Sequence, residues 1–140
     1  MTRQPIVYTG QYDVRFSDLD PYGHVNAKHY LDIVTSTRLQ YSERNLGIPM
    51  LEIARRGVGF FMVSCQQRFR KPIVGMATVK ANSYVEETRG ASFSVVFQIT
   101  SLDETILYCD GLLEFAVVDF QTQKPILTPD WVHRLFFRPS

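Results

Sequence analysis

The segment Ser17-Asp-Leu-Asp-Pro-Tyr-Gly-His-Val-Asn-Ala-Lys-His-Tyr30 decides the fold, because it joins an irregular loop to the start of a long helix. Its proline and glycine are typical of a loop, and Asn26 is a favourable N-cap for the helix that follows. Gly47 and Pro49 indicate where that helix ends. About twenty residues give a helix of roughly 30 Å, long enough to cross a small sheet. The positions that recur at helical spacing are Ala27, Tyr30, Leu31, Val34, Arg38 and Tyr41.

Strand patterns lie on both sides of this helix. Before it, Gln11–Phe16 alternates apolar and polar residues with the period of two that predicts a half-buried strand. After it, runs of aromatic and β-branched residues predict four more strands, of which the middle two form a hairpin. Their expected bounds are Val58–Phe69, Ala77–Glu86, Ser92–Thr100 and Thr105–Phe120, with short helical turns at Met50–Arg56 and Pro129–Leu135. The order β-α-β-β-β-β predicts an α+β architecture, in which a single helix covers one face of an antiparallel five-stranded sheet.

A sheet of this kind has two edge strands whose N–H and C=O groups need cover or pairing. Pairing between the edges of two copies is the simplest solution. We therefore expect an oligomer of at least two subunits.

Length and composition predict one soluble domain over residues 1–140. Hydrophobic residues make up 45% of the chain and charged residues 21%, and the net charge of +1 indicates neither a nucleic-acid partner nor an acidic membrane surface. Residues Met1–Pro5 lack the apolar region of a signal peptide, and the most apolar stretch, Val58–Val63, is too short to span a bilayer. We expect a cytoplasmic protein without a membrane span.

Cys65 and Cys109 lie in separate strand-like runs without CxxC spacing, which predicts buried, unpaired thiols rather than a disulfide or a metal site. The histidines and carboxylates of the loop have no recognised metal-ligand spacing. Gly57-Val-Gly59 lacks the third glycine of a dinucleotide fingerprint. No metal and no cofactor is predicted.

The loop before the helix concentrates the residues that can carry chemistry. Asp18 and Asp20 are ordinarily ionised at neutral pH, but aspartates are also common in turns, so a purely structural role is open. The functional alternative uses the helix N-terminus, which presents unpaired N–H groups at the positive end of its dipole. Donors from about Gly23 to Val25 could hold a carbonyl oxygen as it becomes negative, while a carboxylate attacks the carbonyl carbon or activates a water. This arrangement suits acyl transfer.

The same segment resembles the signature of the hot-dog-fold thioesterases of the 4-hydroxybenzoyl-CoA thioesterase-like class. That signature is a strand, then Asp-x-Asp, a turn with a small residue, His-Val-Asn or a variant, and a tyrosine shortly into the helix, which stands here as Ser17–Tyr30. The resemblance extends over the long helix and the following strands, nearly the whole chain. It implies a hot-dog fold, an acyl-CoA thioesterase activity, and a homodimer or homotetramer with active sites at subunit interfaces.

The resemblance also implies roles for single residues. Asp20 matches the catalytic carboxylate, and the backbone N–H groups near Gly23, His24 and Val25 match those that polarise the thioester carbonyl. In the plant acyl-ACP thioesterases, an asparagine and a histidine assist the aspartate. Tyr22 stands at that asparagine position here, so we expect Asp20 to act largely alone and His24 to organise the loop. Hydratases of this fold space the aspartate and histidine differently and match less well.

Substrate contacts are expected from three groups of residues. The resemblance places cations against the CoA phosphates, which favours Arg89 and the cluster Arg68–Lys71, although solvated surface charges are an open alternative. Phe60 and the other aromatic residues are candidates for the core or for an acyl pocket. The candidate substrate-binding residues are Tyr22, Asn26, Tyr30, Phe61, Arg70 and Arg89.

Several alternatives stay open at this point. Asp20 can be a nucleophile or a general base, and the acyl group can be carried by CoA or by an acyl carrier protein. A non-catalytic hot-dog module that binds acyl-CoA or an acyl carrier protein, or a dimeric scaffold without a ligand, would retain the fold without needing Asp20.

Overall fold

The computed structural model describes residues 4–139 and contains a five-stranded antiparallel sheet. Its strands lie in the order β2-β4-β5-β6-β3. A separate two-stranded ribbon joins the two ends of the described chain. The strands are β1 (Gln4–Pro5), β2 (Tyr8–Asp13), β3 (Val58–Phe69), β4 (Thr78–Arg89), β5 (Ser92–Ser101), β6 (Leu107–Asp119) and β7 (Phe137–Arg138), with β1 and β7 forming the ribbon.

The long helix is continuous from Ala27 to Leu46 but changes its winding. It begins with a 3₁₀ turn (Ala27–His29), continues as α1 (Tyr30–Tyr41) and ends in a π-helical turn (Ser42–Leu46). Gly47 closes it with a left-handed φ of 67°, as expected for a glycine that follows a helix. The remaining helices are a 3₁₀ turn at Phe16–Asp18, α2 (Met50–Arg55) and α3 (Asp130–Phe136).

The core lies between α1 and one face of the sheet. The buried residues of α1 are Tyr30, Ile33, Val34 and Thr37, the spacing of a single helix face. Strand β4 buries every second residue from Val79 to Val85, so its other face points away from the helix. The predicted α+β hot-dog architecture, a five-stranded antiparallel sheet packed on one long helix, is confirmed.

Strand β3 forms an open edge of the sheet. Every residue from Phe61 to Gln66 is exposed, and Val63 lies at a register shift between Met62 and Ser64. Cys65 is therefore exposed, whereas Cys109 on β6 is buried. The prediction of two buried thiols was wrong for Cys65, because only one side of β3 has a neighbouring strand and its outer half has no cover.

Element bounds differ from the prediction mainly at the first strand, which runs from Tyr8 to Asp13 rather than from Gln11 to Phe16. It stops early because Phe16–Asp18 forms a 3₁₀ turn. Part of the segment on which the signal-peptide argument depends, Met1–Arg3, lies outside the described residues. Within residues 4–139, no helix is long and apolar enough to cross a membrane.

Candidate active site

The loop between Asp18 and Asn26 is held in place by backbone hydrogen bonds at both ends. Asp20 N–H donates to the carbonyl of His24 at 2.7 Å, which closes the loop on itself. Val25 N–H donates to the carbonyl of Ile73 at 2.9 Å, which ties the loop to the segment after β3. These contacts fix the direction in which the Asp20 side chain leaves the backbone.

The Asp20 carboxylate has one oxygen engaged in the loop. Its Oδ1 accepts the N–H groups of Tyr22 at 2.9 Å and of His24 at 3.1 Å. Within residues 4–139, its Oδ2 accepts no hydrogen bond. The two N–H groups therefore orient the carboxylate and leave one oxygen available to a ligand.

Asp18 has a different environment, since it is only 1% exposed. Its Oδ2 accepts the Tyr12 hydroxyl at 2.9 Å and the Arg15 N–H at 2.9 Å, and its Oδ1 accepts the Arg15 guanidinium at 3.2 Å. Burial raises the pKa of the Asp18 carboxyl, but these three donors lower it by more, so the pKa lies below its usual value. Both oxygens of Asp18 therefore accept hydrogen bonds within the loop, unlike those of Asp20.

The N–H groups expected to be unpaired are hydrogen bonded within the chain. Gly23 N–H donates to the Asp20 carbonyl at 3.0 Å, and His24 N–H donates to Asp20 Oδ1 at 3.1 Å. Val25 N–H donates to Ile73, as described above. The expectation that these three groups stand free at a helix N-terminus is corrected, because the chain there forms a hydrogen-bonded loop and the helix begins later.

The helix begins at Ala27, and Asn26 is its cap. The Asn26 side chain accepts the N–H of Lys28 at 3.2 Å, and its carbonyl accepts the N–H of His29 at 2.9 Å. Within residues 4–139, the N–H of Ala27 has no hydrogen-bond acceptor. The first turn of a helix leaves such donors unsatisfied by geometry, so Ala27 offers the N–H group that was expected nearer to Gly23.

Asp20 and Ala27 line one surface cavity of about 300 Å³. Its apolar wall includes Tyr30 and Phe69, whose rings meet edge to face with centroids 4.9 Å apart. Burial raises the pKa of the Tyr30 phenol, so its hydroxyl is neutral at pH 7. The full lining consists of Asp20, His24, Val25, Ala27, Tyr30, Phe69, Arg70, Lys71 and Pro72.

Two cations stand at this cavity. The Arg70 guanidinium is paired with Asp110 across 3.2 Å, and both side chains are partly exposed. Lys71 is exposed and has no ion-pair partner within residues 4–139. The cavity therefore combines an oriented carboxylate, a helix-terminal N–H group, an aromatic wall and a positive rim.

A family model for the thioesterase-like superfamily matches residues 14–136, which include the loop, the helix and four of the five strands of the sheet, all except β2. The chain belongs to the thioesterase-like superfamily. The predicted hot-dog thioesterase resemblance and the class of thioester hydrolases are confirmed at this level.

Members of this superfamily and solved structures resemble the chain over most of its length. The long-chain acyl-CoA thioesterase FadM of Escherichia coli (strain K12) is 26% identical over 117 residues, 83% of this chain and 86% of that protein. The 1,4-dihydroxy-2-naphthoyl-CoA thioesterase Slr0204 of Synechocystis is 14% identical with a TM-score of 0.78, covering 92% of this chain and 95% of that one. The protein SAV2348 of Staphylococcus aureus, solved in complex with CoA, is 12% identical with a TM-score of 0.79, covering 96% and 84%. The two structural likenesses establish the fold.

The cavity of this thioesterase-superfamily chain contains only some of the residues expected at the site. It contains Asp20, His24, Val25, Tyr30 and Arg70, together with Lys71 of the predicted cationic cluster. Gly23 does not line the cavity, and its N–H donates to the Asp20 carbonyl within the loop. Tyr22 and Asn26 do not line the cavity: Tyr22 is 83% exposed and the Asn26 side chain caps the helix.

Phe61 and Arg89 lie at the other end of the sheet. The strand registers place Arg89, Ser92, Ala116 and Phe61 in one row. Phe69 lies at the cavity end of the same edge strand, roughly 26 Å from Phe61 along an extended backbone. Arg89 is exposed and pairs with Glu87 at 2.7 Å. Within one chain, the structure does not bring these two residues to Asp20.

Ala27 lines the cavity but was not among the residues that the sequence analysis proposed for the site. The signal for Ala27 was available, because the residue after an N-cap always has an N–H group without an intrahelical acceptor. Phe69 lies inside the Arg68–Lys71 cluster that was expected to contact substrate, but only the packing of β3 against the helix places its ring on Tyr30.

Proposed function

We propose that this protein hydrolyses the thioester bond of an acyl-CoA, with Asp20 as the reacting carboxylate. The observation that carries the proposal is the shared cavity of Asp20 and Ala27, which offers an available carboxylate oxygen and an unpaired N–H group to one ligand. A thioester carbonyl needs both, because its carbon accepts a nucleophile while its oxygen gains negative charge.

In this mechanism the Ala27 N–H group binds the carbonyl oxygen. Its hydrogen bond strengthens as the oxygen becomes an oxyanion, so it stabilises the transition state more than the bound substrate. Asp20 Oδ2 either attacks the carbonyl carbon, giving an anhydride that water then cleaves, or removes a proton from an attacking water. In both routes the sulfur of CoA leaves with a proton and the acyl group becomes a carboxylic acid.

The walls of the cavity suit the rest of the substrate. Tyr30 and Phe69 form an apolar surface next to Asp20, which limits access of bulk water to the reacting atoms. Arg70 and Lys71 stand on the rim, where they can attract the phosphates of CoA. Lys71 is the more available of the two, because Arg70 already pairs with Asp110.

We also propose that the working unit is a homodimer formed through β3. This strand is twelve residues long, and its exposed outer half includes Phe61 (39%), Met62 (36%) and Val63 (63%). Long apolar edge strands are templates for pairing with another chain, and pairing of two identical edges across a two-fold axis is antiparallel. Such pairing would complete the ladder that β6 begins.

The dimer would also complete the active site. Antiparallel pairing sets the Phe61 end of one β3 opposite the Phe69 end of the other. The end of the partner subunit's β3 that carries Phe61 would then lie next to the Asp20 cavity. This geometry would give the cavity a wall from the partner's β3, which one chain alone does not provide.

Release of free thiol from a panel of acyl-CoAs tests the proposed function. Short and long aliphatic and aromatic acyl groups should be included, with each acyl group also offered on an acyl carrier protein. We expect CoA release that saturates with substrate and follows enzyme concentration. Tight binding of acyl-CoA with no release across the whole panel would instead favour a non-catalytic binding module.

A further inference from the structure

A second cavity, of about 270 Å³, lies near the C-terminal half of α1 and shares no residue with the Asp20 cavity. Its wall is mainly apolar and aromatic, with Phe60, Phe93, Leu113 and Phe136 among its lining residues. These residues belong to the sheet and to α3, so the cavity lies between the sheet and the helices that cover it.

Arg38 is the one charged residue among those that line this cavity, and no carboxylate lines it. Within residues 4–139, its guanidinium makes one hydrogen bond, from Nη1 to the Ser83 hydroxyl at 3.0 Å, and it has no carboxylate within 4.0 Å. The guanidinium lies over the ring of Tyr8, 4.2 Å from the centroid. Most of its five N–H donors are therefore unused.

Arg38 differs in its surroundings from the arginines that pair with carboxylates on the surface. Arg15, Arg70 and Arg89 each pair with a carboxylate, although they are exposed to water that would solvate them. Arg38 is partly buried and lines the cavity without such a partner within residues 4–139. Burial lowers the pKa of its guanidinium and the neighbouring Tyr8 phenol partly offsets this, yet arginine stays protonated in proteins. A partly buried cation without a carboxylate partner, beside an apolar cavity, favours an anion that brings its own apolar chain.

We propose that this cavity binds the carboxylate end of a medium-length alkyl chain, with the Arg38 guanidinium as its counter-ion. A guanidinium suits this role, because its planar donors match the two oxygens of a carboxylate. The cavity has room for about nine atoms of the size of a water molecule, at roughly 30 Å³ each, which is close to the size of octanoate. The carboxylate that pairs with Arg38 can belong to a free fatty acid or to the far end of an acyl group that carries a second carboxylate.

Calorimetric titration of the full-length protein with octanoate and with 1-octanol tests the proposal. We expect octanoate to bind with a Kd at least about tenfold lower than that of octanol, since only octanoate pairs with the cation. Arg38→Gln should raise the octanoate Kd by about tenfold or more and leave octanol unchanged. Arg55→Gln, a surface change outside both cavities, should alter neither value.

Equal affinities for octanoate and octanol in the wild-type protein would overturn the proposal, as would an Arg38→Gln variant that keeps its octanoate affinity. The wild-type comparison decides the matter if the variant does not fold. The titration does not depend on hydrolysis, so it also separates this proposal from the function proposed above. Asp20→Asn should still bind octanoate.

Kinetic measurements on two CoA thioesters distinguish the free acid from the distal carboxylate of an acyl group. This part of the test rests on the proposed function. If the ligand is the distal carboxylate of the acyl group, the wild-type protein should hydrolyse suberoyl-CoA with a higher kcat/KM than octanoyl-CoA, and Arg38→Gln should abolish this preference. If the ligand is the free acid, the ratio should be the same in both proteins while octanoate binding is lost in the variant.

Discussion

Asp20 and Ala27 line the same cavity, one from a loop that is hydrogen bonded to itself and the other from the first turn of the long helix. Hydrogen bonds within the chain engage one oxygen of Asp20 and the N–H groups of Gly23, His24 and Val25. The second oxygen of Asp20 and the N–H of Ala27 are the groups that this local structure leaves for a ligand. Asp20→Asn and Ala27→Pro alter these two groups separately.

Replacing Asp20 by asparagine should abolish most of the activity without unfolding the protein. The amide oxygen can still accept the N–H groups of Tyr22 and His24, but the charge that attacks or deprotonates is gone. We expect kcat to fall by about two orders of magnitude or more, equivalent to roughly 3 kcal/mol of transition-state stabilisation. The melting temperature should change by only a few degrees. Near-normal kcat on a good acyl-CoA would contradict the assignment.

Asp18→Asn is the matched control two residues upstream. It should reduce stability rather than catalysis, since both Asp18 oxygens accept hydrogen bonds inside the loop. A larger loss of kcat in Asp18→Asn than in Asp20→Asn would move the catalytic carboxylate to position 18.

The pH dependence of the free energy of unfolding should also show the contribution of the Asp18 carboxylate. Its pKa is lower in the folded state than in the unfolded chain, so its contribution is present at neutral pH and is lost as the pH falls through the folded-state value. The unfolded value is about 4, so thermal unfolding between about pH 5 and pH 2 should show a falling melting temperature with a smaller slope in Asp18→Asn. Identical slopes in the two proteins would show that other carboxylates cause the acid destabilisation.

Ala27→Pro should remove the proposed oxyanion donor, the Ala27 N–H, and little else. Proline has no N–H and is well tolerated at the first position of a helix, where that donor has no intrahelical acceptor. Asn26 already has the extended conformation (φ −64°, ψ 138°) that a residue before proline requires. We expect a fall in kcat of about 100-fold with a nearly unchanged melting temperature. Ala27→Gly, which keeps the N–H, should retain most of the activity; equal losses in both variants would point to helix damage.

Val63→Asp should prevent dimer formation and, as a consequence, abolish acyl-CoA hydrolysis. Val63 is 63% exposed on the open edge of β3, where a charge opposes pairing with a second β3. Light scattering on a size-exclusion column should show a monomer, and acyl-CoA hydrolysis should be lost although Asp20 is unaltered. Leu102→Asp, in the exposed turn after β5, should remain dimeric and active. A wild-type protein that is already monomeric at micromolar concentration would refute the dimer.

Arg89→Ala should raise KM for acyl-CoA severalfold with little change in kcat, the pattern of a uniform binding loss. The dependence of KM on salt should weaken as well, because a screened charge contact has been removed. Arg55→Ala provides a surface control. An unchanged KM would leave Arg89 as a partner of Glu87 on the surface and nothing more.

The sequence by itself determined the bounds of the long helix and of strand β3, and it singled out Asp20 as the candidate carboxylate. Asn26 and Gly47 bound the helix because capping depends on the backbone geometry and side chain of single residues, and both predictions were confirmed. The bounds of β3 were predicted to the residue, since its apolar run lies between Gly57 and Pro72. The Asp-x-Asp pattern singled out Asp20, whose catalytic role stays a prediction.

Only the tertiary structure decided which groups are available to a ligand. The N–H of Val25 donates to the carbonyl of Ile73, which is distant in sequence, so no local pattern identifies this partner. Arg38 follows the helical periodicity in the sequence, but whether a carboxylate meets it depends on which residues β2 and β4 place opposite α1. Local sequence fixes backbone conformation through capping and steric preference, whereas hydrogen-bond partners and cavities are set by elements that meet only after the sheet has formed.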